Sequence, residues 1–132
     1  MAQKENNIIP MIFDEAFYRK MATQKWRQQD YKKAAEYYEK VLELSPKDFD
    51  IQQHYAQCLV KLNIGKKAER LFYENIVKDF HVAESFYELS QLNIELNEPN
   101  KAFLFGINYV ILSEDKDFRE MLEKTFEVAY TN

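Results

Sequence analysis

Apolar side chains recur along the chain at three- and four-residue intervals, as in Phe17, Tyr18, Met21 and Ala22 and again in Ala34, Tyr38, Val41 and Leu42. This spacing gathers one stripe of each segment for a core and leaves the rest polar, which is the pattern of an amphipathic helix. The stripes break at Gln28 to Asp30, at Leu62 to Gly65 and at Asn97 to Pro99, where Asp, Asn, Gly and Pro supply capping and turn geometry. The pattern predicts antiparallel helix pairs joined by short turns.

The pairs themselves repeat. The segments KKAAEYY (32–38), KKAERLFY (66–73) and NKAFLFG (100–106) share a Lys-Ala step, and their alanines, Ala34, Ala68 and Ala102, lie 34 residues apart. The same step aligns the small residues Ala22, Ala56 and Ser90, the large apolar Met21, Tyr55 and Leu89, the turn residues Gln29, Asn63 and Asn97, and Leu42, Ile76 and Val110 near a helix end. A fixed period over three copies marks units that cannot bury their apolar faces alone. The two small columns have a mechanical reason, because paired helix backbones approach closely only where small side chains cross.

These residues resemble the tetratricopeptide repeat family. Its second-helix motif is Ala, three residues, an aromatic, then Pro eight further on, and Ala34, Tyr38 and Pro46 meet it in full. The second copy keeps Ala68 and Phe72, with Phe80 at the proline position. The third keeps Ala102 but has Gly106 where an aromatic is usual and Glu114 in place of the proline. The first-helix columns, usually Trp, Leu, Gly and Tyr, hold Tyr18, Met21, Ala22 and Lys25, with Phe86, Leu89 and Ser90 closer in the third copy. The resemblance covers 15–116 and implies an all-α, right-handed α-solenoid of antiparallel helix pairs in three units, 15–48, 49–82 and 83–116. An apolar arm, 1–13, precedes them. The stretch DKDFREMLEKTFEVAY (115–130) adds an amphipathic helix with Phe118, Met121, Leu122, Phe126 and Ala129 near one face. With its division placed at 117–132, it is either a cap on the third unit or the first helix of a fourth.

The resemblance also implies that first helices line a concave groove for extended peptides or helices. The groove positions are Ala16, Arg19, Thr23 and Trp26, then Asp50, Gln53, Gln57 and Val60, then Glu84, Tyr87, Gln91 and Ile94. Arg19, Thr23, Trp26, Gln53, Gln57, Glu84, Tyr87 and Gln91 are the expected partner-binding residues. Charge along them turns from positive to negative, with Arg27 early and Glu88 and Glu95 late. A known subfamily grips the C-terminal carboxylate of heat-shock chaperones with basic and amide side chains. Its positions fall here on Arg19, Thr23, His54, Glu84 and Glu88; only Arg19 matches, and two carboxylates would repel such a ligand. The expectation is a non-enzymatic module binding a protein or peptide of apolar and mixed-charge character. The alternatives are a self-assembling or regulatory homodimeric module, pairing through Ile8, Ile9, Met11 and Ile12 or through the end helix, and a small secretion-type chaperone, which such repeats also resemble.

Composition narrows this further. Two glycines and three prolines in 132 residues leave little for an all-β chain. The net charge of -4 gives no long-range pull toward nucleic acid or an anionic membrane. One cysteine, Cys58, excludes an internal disulfide and suits a reducing cytoplasm. No apolar run reaches the roughly 18 to 20 residues of a membrane span. Ile8 to Phe13 is short for a signal sequence, is interrupted by Pro10 and leads into Asp14 and Glu15. Asp14 reads instead as an N-cap with Phe13 and Tyr18 as a hydrophobic staple, and the remaining arm as a cap on the first unit or the occupant of a groove near Trp26. His54 and His81 stand apart and lack the companions a metal needs, Cys58 reads as a buried hydrophobe, and no phosphate loop or nucleophile motif occurs. Neither cofactor nor metal is expected, and the pairs Glu36/Glu39 and Glu84/Glu88 read as solvated helix faces.

Overall fold

The computed structural model describes residues 14–131. The apolar arm with Ile8, Ile9, Met11 and Ile12, the Phe13 half of the staple, and the side chains of Phe126 and Ala129 lie outside the described residues. Seven helices follow one another: α1 (Glu15–Arg27), α2 (Tyr31–Leu44), α3 (Phe49–Lys61), α4 (Gly65–Val77), α5 (Val82–Glu95), α6 (Pro99–Ser113) and α7 (Lys116–Thr131). Among the described residues there is no strand, and the fold is all-α.

Helix starts follow the polar residues at the breaks. Asp14, Asp30 and Asp48 accept hydrogen bonds from the backbone N–H of Phe17, Lys33 and Ile51 at 3.0, 3.2 and 3.1 Å. Asp115 caps α7 through Phe118 N–H at 2.9 Å. Each satisfies a donor that a helix N-terminus leaves open, worth about 1 kcal/mol. Pro99 opens α6, where its missing N–H is no loss.

The turn column has a shared geometry. Gln29, Asn63 and Asn97 all take positive φ, at 61°, 62° and 59°. Each donates its N–H to the carbonyl three residues back (Trp26, Val60, Ile94; 2.9 to 3.1 Å), and the next residue donates to the carbonyl five back (Lys25, Leu59, Asn93; 2.8 to 2.9 Å). This is the paired closure of a Schellman motif, which uses up carbonyls that a helix C-terminus leaves free. The 34-residue period is therefore a period of identical corners.

The chain forms two compact units, the first ending at Ile64 and the second beginning at Gly65. In the first, α1 packs on α2 and α2 on α3; in the second, α4 packs on α5, α5 on α6 and α6 on α7. The division falls between the two helices of the second expected repeat. Both small columns are buried: Ala22, Ala34, Ala56, Ala68 and Ser90 are fully enclosed and Ala102 almost so. Ser90 serves as an alanine with a tie, its hydroxyl donating to Ala102 carbonyl oxygen at 2.8 Å. Tyr38 and Phe72 fill the aromatic column. At Gly106 an added Cβ would stand 2.5 Å from Leu122 Cδ2 and 3.0 Å from Ser90 Oγ. Leu122, fully buried on α7, thus occupies the space beside α6 that a side chain at 106 would need.

Candidate functional site

In the first unit, Arg19 comes from the middle of α1 and is already spoken for. Its Nε and Nη2 donate to Glu15 Oε2 at 2.8 and 2.6 Å, and Nη2 also donates to Asp48 Oδ2. Ser45 Oγ donates to Glu15 Oε1 at 2.6 Å. One guanidinium meeting two carboxylates makes a clasp between α1 and the start of α3. The hydrogen bond from Ser45, then that from Arg19, holds the Glu15 carboxyl below its ordinary range. Partial burial opposes the same shift at Asp48, but the hydrogen bonds from Arg19 and Ile51 N–H outweigh it, and its carboxyl is also lowered. Arg19 is raised, first by Asp48 and then by Glu15.

The other expected residues of this unit divide by exposure. Thr23 is open to solvent, its hydroxyl donating to Arg19 carbonyl oxygen at 3.0 Å. Trp26 is half-buried and meets Tyr31 edge-on at 5.1 Å, with the Lys61 ammonium 5.8 Å from the Tyr31 ring. Gln57 is half-buried, whereas Gln53 is only 2 % exposed. His54 is exposed, lies flat against buried Tyr38 at 6.0 Å, and holds Nδ1 2.9 Å from Asp50 carbonyl oxygen. That contact calls for a proton on Nδ1 and leaves Nε2 outward as an acceptor. Thr23, Asp50, His54 and Lys61 are exposed on α1 and α3, with Gln57 half-buried.

In the second unit, Glu84 is exposed and lies 2.8 Å from His81 Nδ1. Tyr87 packs between Tyr109 and Phe118 at 5.2 Å each, and those two meet at 4.9 Å and 86°. Gln91 Nε2 donates to Tyr87 Oη at 3.3 Å. Tyr109 Oη donates to Asp115 Oδ2 at 3.0 Å, while Asp115 Oδ1 caps α7. Burial first, and then Asp115, raise the Tyr109 phenol. Tyr87 is thus a member of the joint between α5, α6 and α7, and Glu84 and Gln91 remain on the polar side of α5. Below them, Glu69 is buried, paired with Lys101 Nζ at 3.2 Å and with Asn93 Nδ2 at 3.4 Å.

Sequence reasoning passed over the roles of Glu15, Ser45 and Asp48 in the clasp and of Tyr109, Phe118 and Asp115 in the joint. Glycine in an aromatic column was the one signal pointing to the α7 contact. Burial pushes the Cys58 thiol up to about 12, so it stays protonated at neutral pH and is a poor nucleophile. Among the described residues no three His, Cys, Asp or Glu side chains stand where they could hold a metal ion, and no helix is long and apolar enough to cross a membrane.

Helix pairs with a common corner and two buried small columns define a helix-pair repeat protein. Residues 25–72 match the family model of the tetratricopeptide repeat. The fold is similar to the crystal structure of MamA protein, with a TM-score of 0.75 at 19 % identity, over 86 % of this chain and 63 % of that one. The chain spans less than two thirds of that protein's length, and at this identity the likeness is one of fold. No curated protein matches the sequence significantly.

Proposed function

We propose that the protein is a non-enzymatic binding module that takes an extended peptide or a helix on the first-helix faces of its repeats. The observation that carries this reading is the open polar surface of α1 and α3. There Thr23 and His54 are exposed and Gln57 is half-buried, on the first helices of the first two repeats. Side chains of this kind give a ligand amide, hydroxyl and imidazole hydrogen bonds at modest desolvation cost. Arg19 is excluded as a free carboxylate receptor, because a ligand carboxylate would compete with both Glu15 and Asp48. The preferred ligand is therefore a neutral or mixed-charge segment rather than an acidic chain terminus. Glu84 and Gln91 offer a separate, acidic contact set on α5.

Selection of binding peptides from a random display library tests this directly. The expected winners lack a requirement for a free C-terminus and lose at least half of their affinity energy to His54→Glu combined with Thr23→Arg, while Lys40→Glu on the outer side of α2 leaves binding intact. Winners that all end in an acidic C-terminus, or that respond to Lys40 and ignore His54 and Thr23, would overturn the reading.

A further inference from the structure

Three helix ends meet at one corner of the first unit. Trp26 stands in the last turn of α1, Tyr31 opens α2 and Lys61 ends α3. The two rings meet edge-on at 5.1 Å, both half-buried, and the Lys61 ammonium lies 5.8 Å from the centre of the Tyr31 ring. Lys25 and Arg27 are the neighbours of Trp26 in sequence, and Lys32 and Lys33 follow Tyr31. Five cations thus gather around two aromatic rings in a chain whose net charge is -4. None of the five is held in an ion pair among the described residues. Asp30, the one carboxylate between Lys25 and Lys33, turns its Oδ1 to Lys33 N–H as the cap of α2.

Local stability accounts for only part of this charge. Lys25, Arg27 and Lys61 sit in last turns, where a helix C-terminus favours cations. Lys32 and Lys33 sit in the first turn of α2, which holds no acidic residue, and there the helix dipole disfavours them. The repeat does not ask for the arrangement either. One period on, Lys61, Lys66 and Lys67 keep the positions of Arg27, Lys32 and Lys33, but Val60 and Gly65 replace the two rings. The third copy has Ile94 and Pro99 for the rings and Glu95 and Asn100 for two of the cations, and its remaining one, Lys101, is paired with Glu69 at 3.2 Å.

We propose that this corner receives the acidic residues of a bound peptide, with a neighbouring apolar side chain of that peptide lying on Trp26 and Tyr31. Charge selects the occupant. These cations offer a carboxylate an attraction not already spent, unlike Arg19, which is held by two carboxylates. Rings half open to water give an apolar side chain area to cover, and Trp and Tyr are enriched among the residues that anchor such contacts. A nucleic acid is the weaker match, because a phosphate chain must approach a molecule that is acidic as a whole, whereas a peptide brings its few charges to the corner alone. The inference rests on the reading of α1 and α3 as a ligand face. Trp26 follows Thr23 by three residues and Lys61 follows Gln57 by four, so each lies one turn further along the same helix side. The mixed-charge ligand then has a direction, its acidic part toward the C-terminal ends of α1 and α3.

A random-peptide display library, selected in parallel against the full chain and against Lys33→Glu with Lys61→Glu, tests this. Wild-type winners are expected to carry Asp or Glu beside an aromatic or a leucine, and the double variant, with unchanged circular dichroism, to select Lys or Arg there instead. Synthetic winners are expected to shift the emission of Trp26, the sole tryptophan of the chain, and to bind the double variant about tenfold more weakly. Lys40→Glu with Lys47→Glu changes the net charge equally, at exposed positions toward the other end of α2, and is expected to leave affinity within about twofold. Winners without acidic enrichment, the same enrichment against the double variant, an emission that stays fixed while binding saturates, or an equal loss in the control pair would overturn the proposal. So would a single-stranded oligonucleotide that binds more tightly than any winner and is lost in the same variant, since the occupant would then be a nucleic acid. Winners that depend on His54 and Thr23 but show no acidic preference would sink the corner and leave the ligand face standing. Acid-dependent binding that ignores His54 and Thr23 would keep the corner and sink the face.

Discussion

The unit of α1 to α3 and the unit of α4 to α7 use one repeat and hold it together by different means. In the first, three aspartates cap all three helices, and Arg19 gathers Glu15 and Asp48 into a polar clasp. In the second, His81 and Glu98 precede α5 and α6 without a side-chain cap, and apolar and aromatic fit takes over: Leu122 beside Gly106, and Tyr87, Tyr109 and Phe118 as a joint. The outer faces differ in the same sense, charged on α2 and apolar on α6. The repeat thus conserves volume and corner geometry, and leaves open whether polar ties or close packing supply the rest.

The largest expected effect breaks the apolar side of this comparison. Leu122→Ala should cost roughly 2 to 5 kcal/mol in denaturant unfolding, because a fully buried leucine leaves a cavity. Gly106→Phe, which restores the aromatic column, should cost about 1 to 3 kcal/mol or more by overpacking. Combining the two should cost less than their sum, since the new ring takes the vacated space. Strict additivity would mean that Leu122 and residue 106 do not compete for one site.

An intermediate effect tests the polar side. Glu15 and Asp48 titrate below their unfolded values of about 4, so the clasp contributes fully above that pH and is lost as the pH falls through the lower, folded values. Asp48→Ala should cost about 1 kcal/mol at neutral pH through the lost cap. Asp48→Asn keeps the cap and should flatten the acid response. Hydrogen-exchange protection, taken relative to the intrinsic amide rate at each pH, should fall between pH 5 and 3 in α3 of the wild type more than in α3 of this variant. A wild-type α3 indifferent to acid would sink the clasp.

How much of this the sequence revealed depends on the range of the interaction. The helices, their breaks, both small columns and the turn column follow from local periodicity, and the corners at Gln29, Asn63 and Asn97 show that an aligned column of turn residues can be read as geometry. Asp14 was legible as a cap because capping acts over three residues. The fate of Arg19 was not, since its second carboxylate sits 29 residues away and a groove-facing position says nothing about the neighbouring helix start. Tyr87 was likewise read as a ligand contact because its two ring partners come from other helices, and Gln53 as groove lining although it is enclosed. Pattern finds the face of a helix, but not what already covers it.

The smallest expected effect refines the shared part of the comparison. Gln29 is the one non-Asn residue in the turn column of Gln29, Asn63 and Asn97, so Gln29→Gly should stabilise by about 0.5 to 1 kcal/mol, relieving the Cβ strain there. Thermal melting that falls rather than rises would show that Gln29 contributes a contact worth more than the strain.

Those corners also bear on how fast the chain folds. Each is closed by hydrogen bonds between residues three and five apart, and the pairs α1 with α2 and α5 with α6 need a loop of only three residues. The entropy of loop closure is then small, and contact order is low, as in helical proteins that fold within milliseconds. Stopped-flow refolding should therefore be fast and should slow when a corner is replaced by a flexible insertion, so that the same residues that fix the turn angle also set the rate at which the repeat is made.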